Sequence, residues 1–136
     1  MHDDLMKFST IEKDGHTLDL LTDSQNGIRI MISRLGAELV SLAKQAGDQW
    51  RGFLYRDGDV SPAPSGWNNH ATVMGYYLHR IKDGRSFYRG REIKGGTHSF
   101  LRHKKFQAPE YNESAASLTY RITPSEILPE EYHFYS

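Results

Sequence analysis

The segment from Leu78 to Phe106, LHRIKDGRSFYRGREIKGGTHSFLRHKKF, concentrates the residues of this chain that could do chemistry. Arg80 carries a planar guanidinium with its donors in a fixed fork, and a neutral His98 imidazole offers one donor and one acceptor. Set on neighbouring strands, the two suit an uncharged ligand rich in vicinal hydroxyls. Arg102 adds a second guanidinium, and Trp67, upstream, offers a flat face on which a pyranose ring can stack. These four, Arg80, His98, Trp67 and Arg102, are the candidate ligand-binding residues. Each also has a purely structural reading. Arg80 can be a strand-end arginine paired with Asp83 or Glu92, and His98 can brace the loop after Gly95–Gly96. Arg102 can be a structural cation, and Trp50 and Trp67 can be core or loop anchors.

Other chemistries find little support. The chain has no cysteine, so it has neither a disulfide framework nor a thiolate site. Among its histidines, the spacings His98 to His103 and His70 to His79 match no common zinc motif, so neither a metal nor any other cofactor is expected. Seventeen basic residues offset seventeen acidic ones, which leaves no global field for nucleic acid or an anionic membrane. The basic run Arg102–Lys105 then reads as a solvated strand end. No apolar run approaches the roughly 20 residues of a membrane-spanning helix. The start, MHDDLMKFSTIEKDGH, is acidic where a secretory signal would be basic and then apolar, so a cytoplasmic address is expected.

The elements that must position the four residues are strands. Gly27–Arg34 reads GIRIMISR, with Ile28, Ile30 and Ile32 on one face and Arg29, Met31 and Ser33 on the other. A break at Gly36–Ala37 leads into a second strand around Leu39–Leu42. Further strands are expected at Leu18–Leu21, Trp50–Tyr55, Phe106–Ala108, Ser117–Ile122 and Tyr132–Tyr135. Ser86–Ile93 reads as a hairpin that turns at Arg89–Gly90. Leu35–Gln45 has leucines near helical spacing, but its flanking glycines and its tie to the preceding strand favour β. Arg56–Asn69 is a long loop, a place where function is often found. Short strands separated by frequent turns predict an all-β chain of one domain over residues 1–136, an antiparallel β-sandwich.

The motifs resemble those of the aldose 1-epimerases, a galactose mutarotase-like family, and in particular its LacX-related subgroup. The matching residues are Arg80 with Ile81, Lys82, Asp83 and Gly84, then Phe87, Tyr88 and Gly90, then His98, Phe100 and Arg102. GAELVSL, Gly36 to Leu42, is a further match, with Trp50, Trp67, Tyr132 and Phe134 as landmarks. The departures are Ser99 where the family has glycine, Gly75–Tyr76 in place of Phe-Pro, and His79 in place of glycine.

The resemblance implies a chain forming part of a mutarotase-like supersandwich and corresponding to its N-terminal half. It assigns Arg80 and His98 to holding a hexose or hexose phosphate, and a phosphate would give the Arg102–Lys105 run a purpose. The general acid and base of such an isomerase belong to the second half, so no catalytic residue is assigned in this chain. Completed by that half or by a partner, the protein would interconvert α and β anomers; the alternative is a non-catalytic carbohydrate-binding or structural domain. Half a sandwich leaves sheet edges open, so self-association through them is also expected.

Overall fold

The structure, a computed structural model, describes residues 6–75 and 77–127. Strands β1 (Met6–Lys13), β2 (His16–Asp23), β3 (Ile28–Ser33), β4 (Glu38–Ala46) and β5 (Gln49–Gly52) form one antiparallel meander in chain order. Two hairpins follow, β6 (Arg85–Tyr88) with β7 (Arg91–Lys94), and β8 (Glu110–Asn112) with β9 (Ser117–Thr119). Among the described residues, helix is confined to three single 3-10 turns, Lys82–Gly84, Leu101–His103 and Pro124–Glu126. The all-β, antiparallel class expected from the alternation is therefore observed.

Individual strands depart from expectation for local reasons. The sequence reading has no strand before Leu18, yet β1 pairs along its whole length with β2. Asp14 and Gly15, with φ of 50° and 80°, make the two-residue turn that sets Lys13 opposite His16. The strand at Trp50 stops at Gly52, because the Asp57 carboxylate accepts from the backbone amides of Leu42 and Leu54 and turns the chain back. Phe106–Ala108 is not a strand. Lys105 makes one isolated bridge with Leu35, and Phe106 then turns inward as core. The last strand among the described residues ends at Thr119, short of the expected Ile122, and the expected piece at Tyr132–Tyr135 lies outside the described residues.

Register shows how the main sheet is covered. On one face Arg29, Met31 and Ser33 of β3 sit beside Ser41 and Ala43 of β4. The loop after β5 lies over this face, with Ser41 Oγ donating to Asp57 at 2.6 Å. A bulge between Met31 and Ile32 leaves Val40 unpaired in β4, and its carbonyl accepts instead from Gly58 of that loop at 2.7 Å. The opposite face carries Phe8, Thr10, Asp19, Leu21 and the three isoleucines of β3. Tyr111 stacks there on Phe8, with ring centroids 5.2 Å apart. A second cluster, Phe100, Leu101, Phe106 and Ile127, packs with Ala37, Tyr120 and Ile122 and ties the segment after β7 to the sheet.

Asp19 is fully buried in β2, and its carboxylate is saturated. It accepts from Thr10 Oγ1 of β1 at 2.7 Å, from Arg34 Nε and Nη2 at 3.0 and 2.9 Å, and from Tyr120 Oη at 2.7 Å. Burial alone pushes this carboxyl up. The donors from Arg34, Thr10 and Tyr120 outweigh burial and hold it below its ordinary value of 3.8. The Tyr120 hydroxyl is raised far above its usual range, by burial first and then by the Asp19 carboxylate, so it stays a donor.

A depressed folded-state pKa contributes stability that is complete above the unfolded value and is lost as pH falls through the folded one. The Tm of this protein should therefore be flat above about pH 5 and fall once pH drops below the ordinary carboxylate range. Asp57, also depressed against the pull of burial by Ser41 and backbone donors, adds to the same window. Asp19→Asn leaves the Arg34 charge uncompensated and should cost about 3 kcal/mol, with a shallower acid limb in a pH series of thermal melts. An unchanged melting profile would remove this carboxylate from the centre of the fold.

Candidate functional site

Residues 95–105 form a strap that carries His98 at one end and Arg102 at the other. His98 and Ser99 both have positive φ, 61° and 62°. The backbone N–H of His98 donates to the His79 carbonyl at 3.3 Å, and ring Nδ1 lies 2.7 Å from the Leu78 carbonyl. That carbonyl can only accept, so the geometry assigns the ring proton to Nδ1 and leaves Nε2 as an acceptor. The far side of the strap is fixed by Gly75, whose carbonyl accepts from Phe100 and Leu101, both at 3.2 Å. His98 is thus pinned against residues 78–79, immediately before Arg80.

Arg80 is exposed and lines a shallow hollow of about 240 Å³ with Ile81, Gly84, Gly95, Gly96 and Thr97. Among the described residues it forms no ion pair with Asp83 or Glu92. The hairpin beside it turns at Arg89–Gly90, as expected, and its aromatics receive cations. Arg89 lies 5.2 Å from the centre of the Tyr88 ring, and Arg85 5.9 Å from that of Phe87. Trp50 serves the sheet in the same way, with the Arg29 guanidinium 4.6 Å above its ring.

Arg102 lies elsewhere. It lines a cavity of about 260 Å³ under the loop after β5, where it meets His103, His16, Glu38 and His70. Its Nε donates to His103 Nε2 at 3.2 Å. Glu38 Oε1 accepts from both the backbone N–H and the Nδ1 of His70, at 2.5 and 3.0 Å, and His70 Nε2 lies 3.2 Å from the Arg56 carbonyl. Asp59 shapes the loop. The Ser61 hydroxyl and amide, with Arg56, lower its pKa to about 2. Trp67 stands exposed on this loop beside Asn68 and Asn69 of the cavity wall. The four candidate residues therefore divide. Arg80 and His98 lie on loop segments that meet at residues 78 and 79, not on neighbouring strands as the sequence suggested, and the lining of the Arg80 hollow does not include His98; Arg102 lines the other cavity, with Trp67 on the loop beside it.

The Glu38–His70 contact joins residues 32 apart and follows no local motif, so sequence reasoning missed it. Among the described residues no group of three or more His, Cys, Asp or Glu side chains is placed to hold a metal ion. No helix among them is long and apolar enough to cross a membrane.

No family model matches the chain, and no curated protein matches it. A solved structure does: a galactose mutarotase related enzyme from Lactobacillus acidophilus, with a TM-score of 0.54 and 25% sequence identity. The fold is galactose mutarotase-like. The match covers 79% of this chain and 29% of the other, so the chain spans under a third of that enzyme's length. Within the mutarotase-like fold, the strap is positioned by one close backbone approach. Gly36, the first residue of GAELVSL, has φ of 72°, and a Cβ there would stand 2.6 Å from Thr72 Oγ1 and 2.8 Å from the Arg102 carbonyl. Its N–H donates to the Lys104 carbonyl at 2.7 Å.

Gly36→Ala must strain the backbone and push the strap away, and should lower stability by about 2 kcal/mol in chemical denaturation. Gly47→Ala has open space around its Cβ position but shares the positive φ, and so isolates the backbone component. Equal losses in the two variants would show that the strap does not depend on this approach.

Proposed function

We propose that this chain is the sugar-holding portion of an aldose 1-epimerase-like protein and binds a hexose or hexose phosphate through Arg80 and His98. The observation that carries this reading is the state of His98. Its backbone is held at positive φ and its Nδ1 is committed to the Leu78 carbonyl, so Nε2 is left to accept on a strap that is pinned to residues 78 and 79, immediately before the exposed Arg80. A guanidinium that donates and an imidazole nitrogen that accepts are complementary to the two ends of a vicinal diol. The resemblance to a galactose mutarotase related enzyme supports the same substrate class.

Mutarotation needs a base to take the proton from the C1 hydroxyl and an acid to protonate the ring oxygen. The ring then opens, the C1 aldehyde rotates, and closure gives the other anomer. Positioned proton transfer of this type contributes roughly a hundred- to ten-thousand-fold. In this reading Arg80 and His98 hold the sugar in register while the acid and base come from the rest of the protein or from a partner chain. A non-catalytic carbohydrate-binding domain is the second reading. It is favoured by the engagement of the buried and half-buried carboxylates, Asp19 with Arg34, Glu38 with His70 and Asp57 with Ser41, none of which is free to act as a base.

Proton NMR of the anomeric signals of glucose, galactose and glucose 6-phosphate separates the two readings. Magnetisation exchange between α and β signals above the spontaneous rate would establish an epimerase. Broadening without exchange would establish a binding module. Arg80→Ala and His98→Ala should each abolish the response with the fold intact, and a response that survives both substitutions would place the sugar elsewhere.

A further inference from the structure

Equal totals of acidic and basic residues conceal an uneven distribution along the chain. From Arg80 to Lys94 there are six basic residues, Arg80, Lys82, Arg85, Arg89, Arg91 and Lys94, and two acidic ones, Asp83 and Glu92. All six cations are exposed, and among the described residues none of them forms an ion pair. The register of the hairpin sets two of them face to face, with Arg85 directly opposite Lys94. Like charges in that position repel and lower the stability of a strand pair. Glu92, opposite Phe87, is the carboxylate on the same side of the hairpin, and it pairs with neither cation. A short hairpin that keeps this repulsion uncompensated presents a ready site for an anion.

Phe87 gives that site its second element. Side chains of a strand alternate between faces, so Arg85, Phe87, Glu92 and Lys94 share one side of the hairpin. The other side carries Ser86 and Ile93, and Ile93 is buried. Phe87 is 62% exposed, so its side of the hairpin faces outward. The Arg85 guanidinium lies 5.9 Å from the centre of its ring. The outward face thus offers two cations at the foot of the hairpin and an apolar ring beside them. A carboxylate suits the guanidinium fork, and the apolar face of a pyranose suits the ring. Arg85 and Lys94 also stand one residue beyond Gly84 and Gly95 of the hollow at Arg80. The Gly95 N–H joins that pair by donating to the Gly84 carbonyl at 2.9 Å.

We propose that Arg85, Phe87 and Lys94 form an outer subsite for an acidic saccharide chain, with uronate carboxylates on the two cations and one ring against Phe87. This rests on the sugar-site reading given above, which supplies the unit held at Arg80. It makes the ligand an anionic oligosaccharide rather than a neutral hexose. A saccharide chain uses both the hollow and the outward face, whereas a nucleic acid or an anionic lipid surface uses the hairpin alone.

Trigalacturonate and its fully methyl-esterified form have the same rings and differ in charge, and the test titrates each against the protein by NMR line width. The wild-type protein should bind the acid about tenfold more tightly than the ester, which two exposed ion pairs can supply, and the preference should shrink as salt rises. Arg85→Gln combined with Lys94→Gln should bring the ratio of the two affinities to about one, with Tm held or raised because the repulsion is gone. Phe87→Ala should weaken both forms severalfold. A ratio unchanged in the double variant, or no preference in the wild type, overturns the proposal. Galactose binding that is lost in Arg80→Ala then leaves the sugar site standing. A single-stranded oligonucleotide or phosphatidylserine vesicles bound as tightly as trigalacturonate also overturn it, since charge alone would then be the determinant. An acid preference that depends on Arg85 and Lys94 in a protein without any galactose response keeps the outer subsite and removes the reading at Arg80.

Discussion

The buried carboxylate of Asp19 is the interaction on which the rest of the arrangement depends. It collects donors from β1, from the residue after β3 and from Tyr120, which is 101 residues away along the chain. Such a charge is tolerated in the interior only while every partner is present, because each missing donor exposes it to the full cost of desolvation. It also specifies register. A slip of one residue in β2 would send Asp19 to the opposite face of the sheet, away from all of its donors. Chain entry, sheet register and the return of the C-terminal segment are therefore coupled through one side chain.

The candidate site is built on a different principle. No residue that lines the hollow at Arg80 belongs to a regular strand. The strap from Gly95 to Lys105 holds its shape through backbone hydrogen bonds to Gly75, His79 and Gly36 and through the buried pair Phe100 and Leu101. A segment held in this way can keep residues in unfavourable backbone conformations, because several fixed points over-determine its path. The positive φ values of His98 and Ser99 are an instance. Polar anchors do comparable work on the loop after β5, where Asp57 and Asp59 replace the ladder hydrogen bonds that a strand would have supplied.

What the sequence made legible follows from the range of the interactions. Two-residue periodicity located β3, short apolar runs between turn signals located β2 and β4, and Arg89–Gly90 located a hairpin, since all of these signals are local. β1 escaped because Phe8, Ser9, Thr10 and Ile11 do not alternate cleanly. The Asp14–Gly15 turn was the signal that could have found it. The Asp19 hub could not be read, because Asp, Arg34 and Tyr120 have no spacing that sets them apart from solvated residues. For the candidate residues the sequence supplied order along the chain and no direction. Family-like motifs placed Arg80 and His98 on segments that do meet, but motif order says nothing of side-chain direction, and Arg102 turns into another cavity. Ser99, in sequence only a departure from glycine, keeps the positive φ that glycine would favour and buries its hydroxyl, neither of which the sequence could show.

The buried core and the candidate site occupy separate parts of this chain. Leu18, Asp19, Leu21, Val40 and Ala43 are buried in the sheet, whereas Arg80 and its neighbours from Lys82 to Arg85 are exposed. Few apolar contacts restrain the hollow, so its geometry must come from the strap's hydrogen bonds and from whatever docks against it. A ligand that bridges Arg80 and the strap would connect two segments already joined by the His98 contacts to residues 78 and 79, by the Gly95 N–H donated to the Gly84 carbonyl and by the Gly75 contacts to the strap. Binding energy would then be spent partly on ordering the site, which lowers affinity for a small sugar and favours one large enough to reach both sides.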